Sequence, residues 1–131
     1  QYASATGIAR LAKEALESET EDSVLRTVKN ISAKSVFDAY KEGDVLAGKI
    51  VDKFAAYLGN ALAVFACVSD PDVFVIGGGV SKAGQVLIDA VEKYYKAHAF
   101  TASKETPIKL ATLGNDAGIY GAAKLILSKD N

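Results

Sequence analysis

Three consecutive glycines, Gly77-Gly78-Gly79, follow the apolar run Val73-Phe74-Val75-Ile76 and precede Val80 and Ser81. Glycine has no Cβ, so such a run lets the backbone turn sharply after a strand and come close to a ligand. A helix starting just beyond the turn would aim its unpaired first amides at the same place, and phosphate is the usual occupant there. Ser81 can cap that helix or donate its hydroxyl to a phosphate oxygen. A tight turn with no ligand satisfies the same residues, so both readings stand. The run is not a Walker loop, because no lysine followed by serine or threonine completes it. Its spacing does not fit the dinucleotide fingerprint either.

A second stretch, Thr112-Leu113-Gly114-Asn115-Asp116-Ala117-Gly118-Ile119-Tyr120-Gly121-Ala122-Ala123, is rich in small residues. Asn115 or Asp116 would cap a final helix, and Gly118, Gly121 and the alanines would leave one face of it smooth. Close packing is the first reading. Ligand contact by Gly114 or Asn115, at the carboxyl end of a strand, is the second. Other residues offer less chemistry. His98 is the only histidine and stands at a helix end, where a satisfied surface or boundary role is expected. Cys67, the single cysteine, falls in the most apolar helical stretch and reads as a core residue. It excludes an internal disulfide and a clustered cysteine zinc site. The acidic run 17–22 reads as solvated surface, and nothing marks Asp72 as a base. No catalytic residue and no metal ligand is assigned.

The elements that must position these residues are mostly helices. Ile8, Leu11, Ala12, Ala15 and Leu16 recur at amphipathic spacing, which predicts a helix over 5–17 capped by Ser4 or Thr6. Residues 23–30 suggest a short helix or turn. Ser32 caps another helix, with Val36, Phe37 and Tyr40 facing inward. Gly43 terminates it, and Asp44 caps the longest helix. The inward stripe of that helix is Leu46, Ile50, Phe54, Leu58, Leu62 and Phe65. Beyond residue 61 it is apolar nearly all round, which implies burial on several sides. Asp70-Pro71 stops it. Residues 73–76 read as a strand covered on both faces. A helix over 83–97 and a second strand over 108–112 follow, then a helix from 116 or 117. The chain thus divides into a helical region, 1–70, and a strand, glycine turn, helix, strand, helix region, 71–131. Two strands are few for a sheet, so sequence upstream is expected to supply others.

Composition bounds the function. The chain has 131 residues, 50% of them apolar and 24% charged, with 15 basic and 16 acidic residues and a net charge of -1. That balance carries no footprint of DNA, RNA or an anionic membrane surface. The longest unbroken apolar run is eight residues, short of a membrane span. No secretory leader opens the chain, so a cytoplasmic location is expected. There is no methionine. A piece of a longer polypeptide is expected, and its cut surface should favour homo-oligomers.

The chain resembles the carboxy-terminal portion of the ROK family of bacterial sugar kinases and repressors, glucokinases among them. The likeness lies in Tyr2-Ala3-Ser4-Ala5-Thr6-Gly7-Ile8, in Ala33-Lys34-Ser35-Val36-Phe37 with Gly43-Asp44, in Val75-Ile76-Gly77-Gly78-Gly79-Val80-Ser81, and in residues 113–123. The resemblance implies an α/β fold, the helix-rich part of an actin/hexokinase-like (ribonuclease H-like) ATPase domain with few strands. It implies a nucleotide site lined by Gly77, Gly78 and Gly79, with Ser81, Gly114 and Asn115 nearby. ATP and Mg2+ would be used by the whole parent. The parent's phosphate loop, general base and zinc motif would all lie upstream, as the missing amino-terminal partner of this chain. A complete relative would transfer the γ-phosphoryl of Mg-ATP to a sugar hydroxyl. Alternatives are part of a sugar-responsive repressor and a non-catalytic nucleotide-binding module.

Overall fold

A computed structural model of the chain describes residues 4–111. The first helix, α1, spans Ala5–Ser18, and Ser4 caps it by accepting a hydrogen bond from the Gly7 amide at 3.1 Å. Gly7, Ile8, Leu11 and Ala12 form its buried face. A 3-10 turn at Val24–Thr27 leads to α2, Ala33–Lys41, where Ser32 and Ser35 make a reciprocal capping box. Gly43 takes a left-handed φ of 87° and ends that helix. Asp44 then caps α3, Val45–Ser69, by accepting from the Ala47 amide. Its carboxylate also takes the Ser23 hydroxyl and the Val24 amide, so one side chain starts α3 and fixes the preceding turn.

At 25 residues and with its apolar composition, α3 is long enough to cross a membrane, contrary to the expectation drawn from unbroken apolar runs. Here it is the central helix, packed on α1, α2 and α4. Leu46, Ile50, Phe54 and Leu62 are buried as the periodicity predicts, and Leu58 partly so. Beyond residue 61 the helix differs from expectation. Ala63 and Ala66 are buried, while Val64, Phe65 and Val68 are exposed, and so is Cys67. Among the described residues only one side of this stretch meets a neighbour, and Cys67 lies off that side. Tyr40 is also exposed, at the margin of α2.

Asp70 ends α3 in the left-handed region, at φ 41°, ahead of Pro71. Strand β1, Phe74–Ile76, pairs in parallel with β2, Ile108–Leu110, in the register Phe74 to Ile108 and Ile76 to Leu110. Between them runs α4, Gln85–His98. The Phe74 ring meets Tyr95 of α4 edge-on, with centroids 5.7 Å apart. Val75 of β1 and Val73 just before the strand are both exposed. Among the described residues the expected cover on both faces is therefore present on one face only. The reason is that a continuous apolar run reports a strand's capacity for burial, while cover depends on what else packs there. The predicted helix from 116 or 117 lies outside the described residues.

The closest packing is between α3 and α4. A Cβ on Gly59 would stand 2.8 Å from Tyr94 Cβ and from the Val91 carbonyl oxygen. Asp52 accepts hydrogen bonds across the same pair of helices from Tyr94 at 2.5 Å and Lys93 at 3.4 Å.

Candidate functional site

The parallel ladder closes where the Ala111 amide donates to the Ile76 carbonyl at 2.8 Å. Gly77, Gly78 and Gly79 leave the sheet at that point, at the carboxyl ends of both strands, where open α/β sheets bind ligands. The three glycines are not equivalent. Gly78 has φ 78° and ψ -164°, a conformation nearly restricted to glycine, and a Cβ there would meet nothing within 4 Å. A Cβ on Gly77 would make ordinary contact with Ala111 Cβ at 3.5 Å. On Gly79 it would press on Ala5 Cβ at 3.0 Å. Gly78 thus supplies the conformation, and Gly79 lets the start of α1 approach the turn. Gly77 and Gly79 are exposed and Gly78 is half-buried.

The helix expected over 83–97 starts differently. Gly79–Ala83 forms a 3-10 turn, Gly84 breaks it at φ 79°, and α4 begins at Gln85. Ser81 consequently does not cap α4. Its hydroxyl donates to the Gly78 carbonyl at 2.7 Å, and its amide donates to the same oxygen at 3.2 Å. Both bonds hold the turn in shape. Val80 and Ala83 point into the core and anchor it. Gly114 and Asn115 lie outside the described residues.

Two features flank this site to which the sequence assigned no contact. The start of α1 reaches Gly79 through Ala5. On the other side, the 3-10 turn packs on α2 and brings Lys82 beside Lys34 and Lys41. No spacing in the sequence links residues so far apart, so only the fold reveals this basic edge. The Lys34 ammonium sits 2.5 Å from Asp38, whose hydrogen bond and charge raise its pKa above the usual lysine value. His98 is exposed, with Nδ1 3.0 Å from the Tyr94 carbonyl oxygen. Among the described residues no group of three or more His, Cys, Asp or Glu side chains converges as a metal site.

The described residues thus combine a two-stranded parallel edge, a glycine turn at its carboxyl end and helices behind it. The ROK family model matches residues 1–129, and the chain belongs to the ROK family. It is 39% identical to the glucokinase of Halalkalibacterium halodurans over 98% of this chain and 40% of that protein. It is 32% identical to the N-acetylgalactosamine kinase AgaK of a Shewanella species, over 95% of this chain and 36% of that protein. The crystal structure of a ROK family glucokinase from Streptomyces griseus in complex with glucose and AMPPNP superposes with a TM-score of 0.83 at 31% identity. That match covers 95% of this chain and 43% of the other. The fold is therefore the helix-rich part of the actin/hexokinase-like fold of ROK sugar kinases. The chain spans about 40% of the length of the curated relatives it matches.

Proposed function

We propose that this chain supplies the nucleotide-holding wall of an ATP-dependent sugar kinase, a glucokinase being the first candidate. The observation that carries this reading is the turn at Gly77 to Gly79. It lies at the carboxyl end of parallel strands, with a glycine-restricted conformation at Gly78 and, among the described residues, nothing within 4 Å of where its Cβ would stand. The likeness to a glucokinase solved with glucose and AMPPNP supports it from a second direction. The 39% identity to one glucokinase supports that candidate, with amino-sugar kinases at 32–34% as the second substrate class.

The residues fit a nucleoside triphosphate. Backbone amides at an exposed glycine turn are donors for phosphate oxygens without the obstruction of a Cβ. Ser81 keeps the turn in the shape that presents them. The start of α1 stands against Gly79 on one side of the turn. When bound, Mg-ATP supplies the phosphoryl group and the charge neutralisation for its transfer. The described residues hold no metal-ligand cluster of their own, so the cation would ride on the nucleotide, and zinc is assigned no place here. We assign deprotonation of the sugar hydroxyl to the remaining part of the kinase. That part is also the first candidate to cover the exposed Val64, Phe65, Val68, Val73 and Val75. Chemical-shift mapping of this chain with Mg-ATP tests the site. The amides of residues 77–81 should move most. Shifts confined to distant residues would overturn the assignment.

A further inference from the structure

One peptide of the turn lies between two glycines, and Ser81 holds its oxygen twice. The Gly78 carbonyl accepts the Ser81 hydroxyl at 2.7 Å and the Ser81 amide at 3.2 Å. The Gly78–Gly79 peptide is trans, so its carbonyl and its N–H point in opposite directions. Because the oxygen faces into the 3-10 turn, the Gly79 N–H faces out of it. Gly79 is exposed, and its amide donates to no acceptor among the described residues.

We propose that Ser81 is a positioning residue for the nucleotide, its hydroxyl locking the Gly78–Gly79 peptide with the N–H outward and the carbonyl inward. The inference rests on the nucleotide reading above and adds which group keeps a donor, rather than an acceptor, facing the phosphates. A lock is needed because sterics supply none. Turning this peptide over would carry Gly78 from φ 78° and ψ -164° to near the left-handed helical region, which glycine occupies readily. Gly79 has no Cβ to resist the matching change on its side. A Cβ on Gly78 would meet nothing within 4 Å, so no neighbour blocks the movement there. The overturned peptide would aim a carbonyl oxygen at the phosphates, and neither partner then has a proton to donate. Any residue but proline at position 81 supplies the amide bond to Gly78. Only a side-chain hydroxyl supplies the second and shorter one. Its single proton already goes to the Gly78 oxygen, so Ser81 acts on the nucleotide through the peptide and not by direct donation.

The test compares this chain with its Ser81→Ala and Ser81→Thr variants, free and with Mg-ATP. In the free Ser81→Ala chain, amide relaxation dispersion should reveal new exchange at Gly78 and Gly79, the sign of a peptide that turns over. The parent and Ser81→Thr, which keeps the hydroxyl, should show none. Affinity for Mg-ATP should fall by about fivefold in Ser81→Ala, the net contribution of one hydrogen bond. Ser81→Thr should return it to within about twofold of the parent. If Ser81→Ala weakens Mg-ATP with no new exchange in the free chain, the hydroxyl touches the ligand itself and the lock falls. If Ser81→Thr behaves as Ser81→Ala does, the hydroxyl is not the cause and the lock also falls. If Ser81→Ala binds Mg-ATP as tightly as the parent, the lock falls while the nucleotide turn stands. If Mg-ATP leaves the amides of residues 77–81 unmoved in the parent, the nucleotide reading itself is overturned.

Discussion

At the seam between α3 and α4, a Cβ added to Gly59 would stand 2.8 Å from Tyr94 Cβ and the Val91 carbonyl oxygen and 2.9 Å from the Tyr95 amide nitrogen. At the turn after β1, a Cβ added to Gly78 would meet nothing within 4 Å. The first glycine is there for lack of space in an ordinary helical conformation. The second has space but holds a φ of 78° that side chains rarely adopt. The seam is consequently a packing device, with two helices brought to backbone contact. The turn is a conformational device, with open space kept in front of it. That difference separates a structural glycine from a candidate ligand glycine, and composition alone cannot make it.

The largest expected effect breaks the seam. Gly59→Ala gains about 1 kcal/mol of helix propensity, but its methyl meets backbone atoms that cannot swing aside. Overpacking of this kind costs about 1–3 kcal/mol or more. Backbone atoms 2.8 Å away put the cost at the upper end of that range, so we expect a net loss of about 2 kcal/mol in urea unfolding, and a variant as stable as the parent would show that the helices can separate freely. Next comes the turn. Gly78→Ala should cost about 1–3 kcal/mol through backbone strain alone, with α3 and α4 undisturbed by circular dichroism. It should also weaken ATP binding, whereas Gly77→Ala, whose Cβ finds an ordinary contact, should change stability little.

The smallest effect sharpens the comparison from a third site, the cap of α3. Partial burial of Asp44 pushes its pKa upward. Hydrogen bonds from the Ala47 and Val24 amides and the Ser23 hydroxyl outweigh that and hold it below the usual carboxylate range. A group with a lowered folded-state pKa stabilises fully above its unfolded value and loses that contribution as pH falls through the folded value. Asp44→Ala should therefore cost about 1 kcal/mol at neutral pH and less in acid. Equilibrium unfolding from pH 7 down to the acid limb checks this. An unchanged cost across that range would remove the charge from the explanation.

Much of the fold was legible because caps and terminators are local. Ser4, Ser32 and Asp44 each cap the helix they precede, and Gly43 adopts the left-handed turn its position demanded. The strand at residues 74–76 and the glycine turn after it were equally readable. Errors gathered where burial depends on neighbours. Phe65 and Cys67 sit in an apolar stretch that, among the described residues, has a partner on one side only, and Val73 and Val75 are exposed. Ser81 failed as a cap because Gly84, a second left-handed residue, separates the 3-10 turn from α4. The basic edge of Lys34 and Lys82 was invisible, since it joins α2 to a turn more than forty residues later in the chain.

By itself the sequence determined the starts of the first three helices, the order of the two strands and the place of the glycine turn, because those depend on capping hydrogen bonds, apolar period and φ preferences within a few residues. The tertiary structure decided which glycine keeps open space, which one admits a neighbouring helix, and which lysines stand beside the turn. Those are distances between segments remote in the chain, and no local preference encodes them.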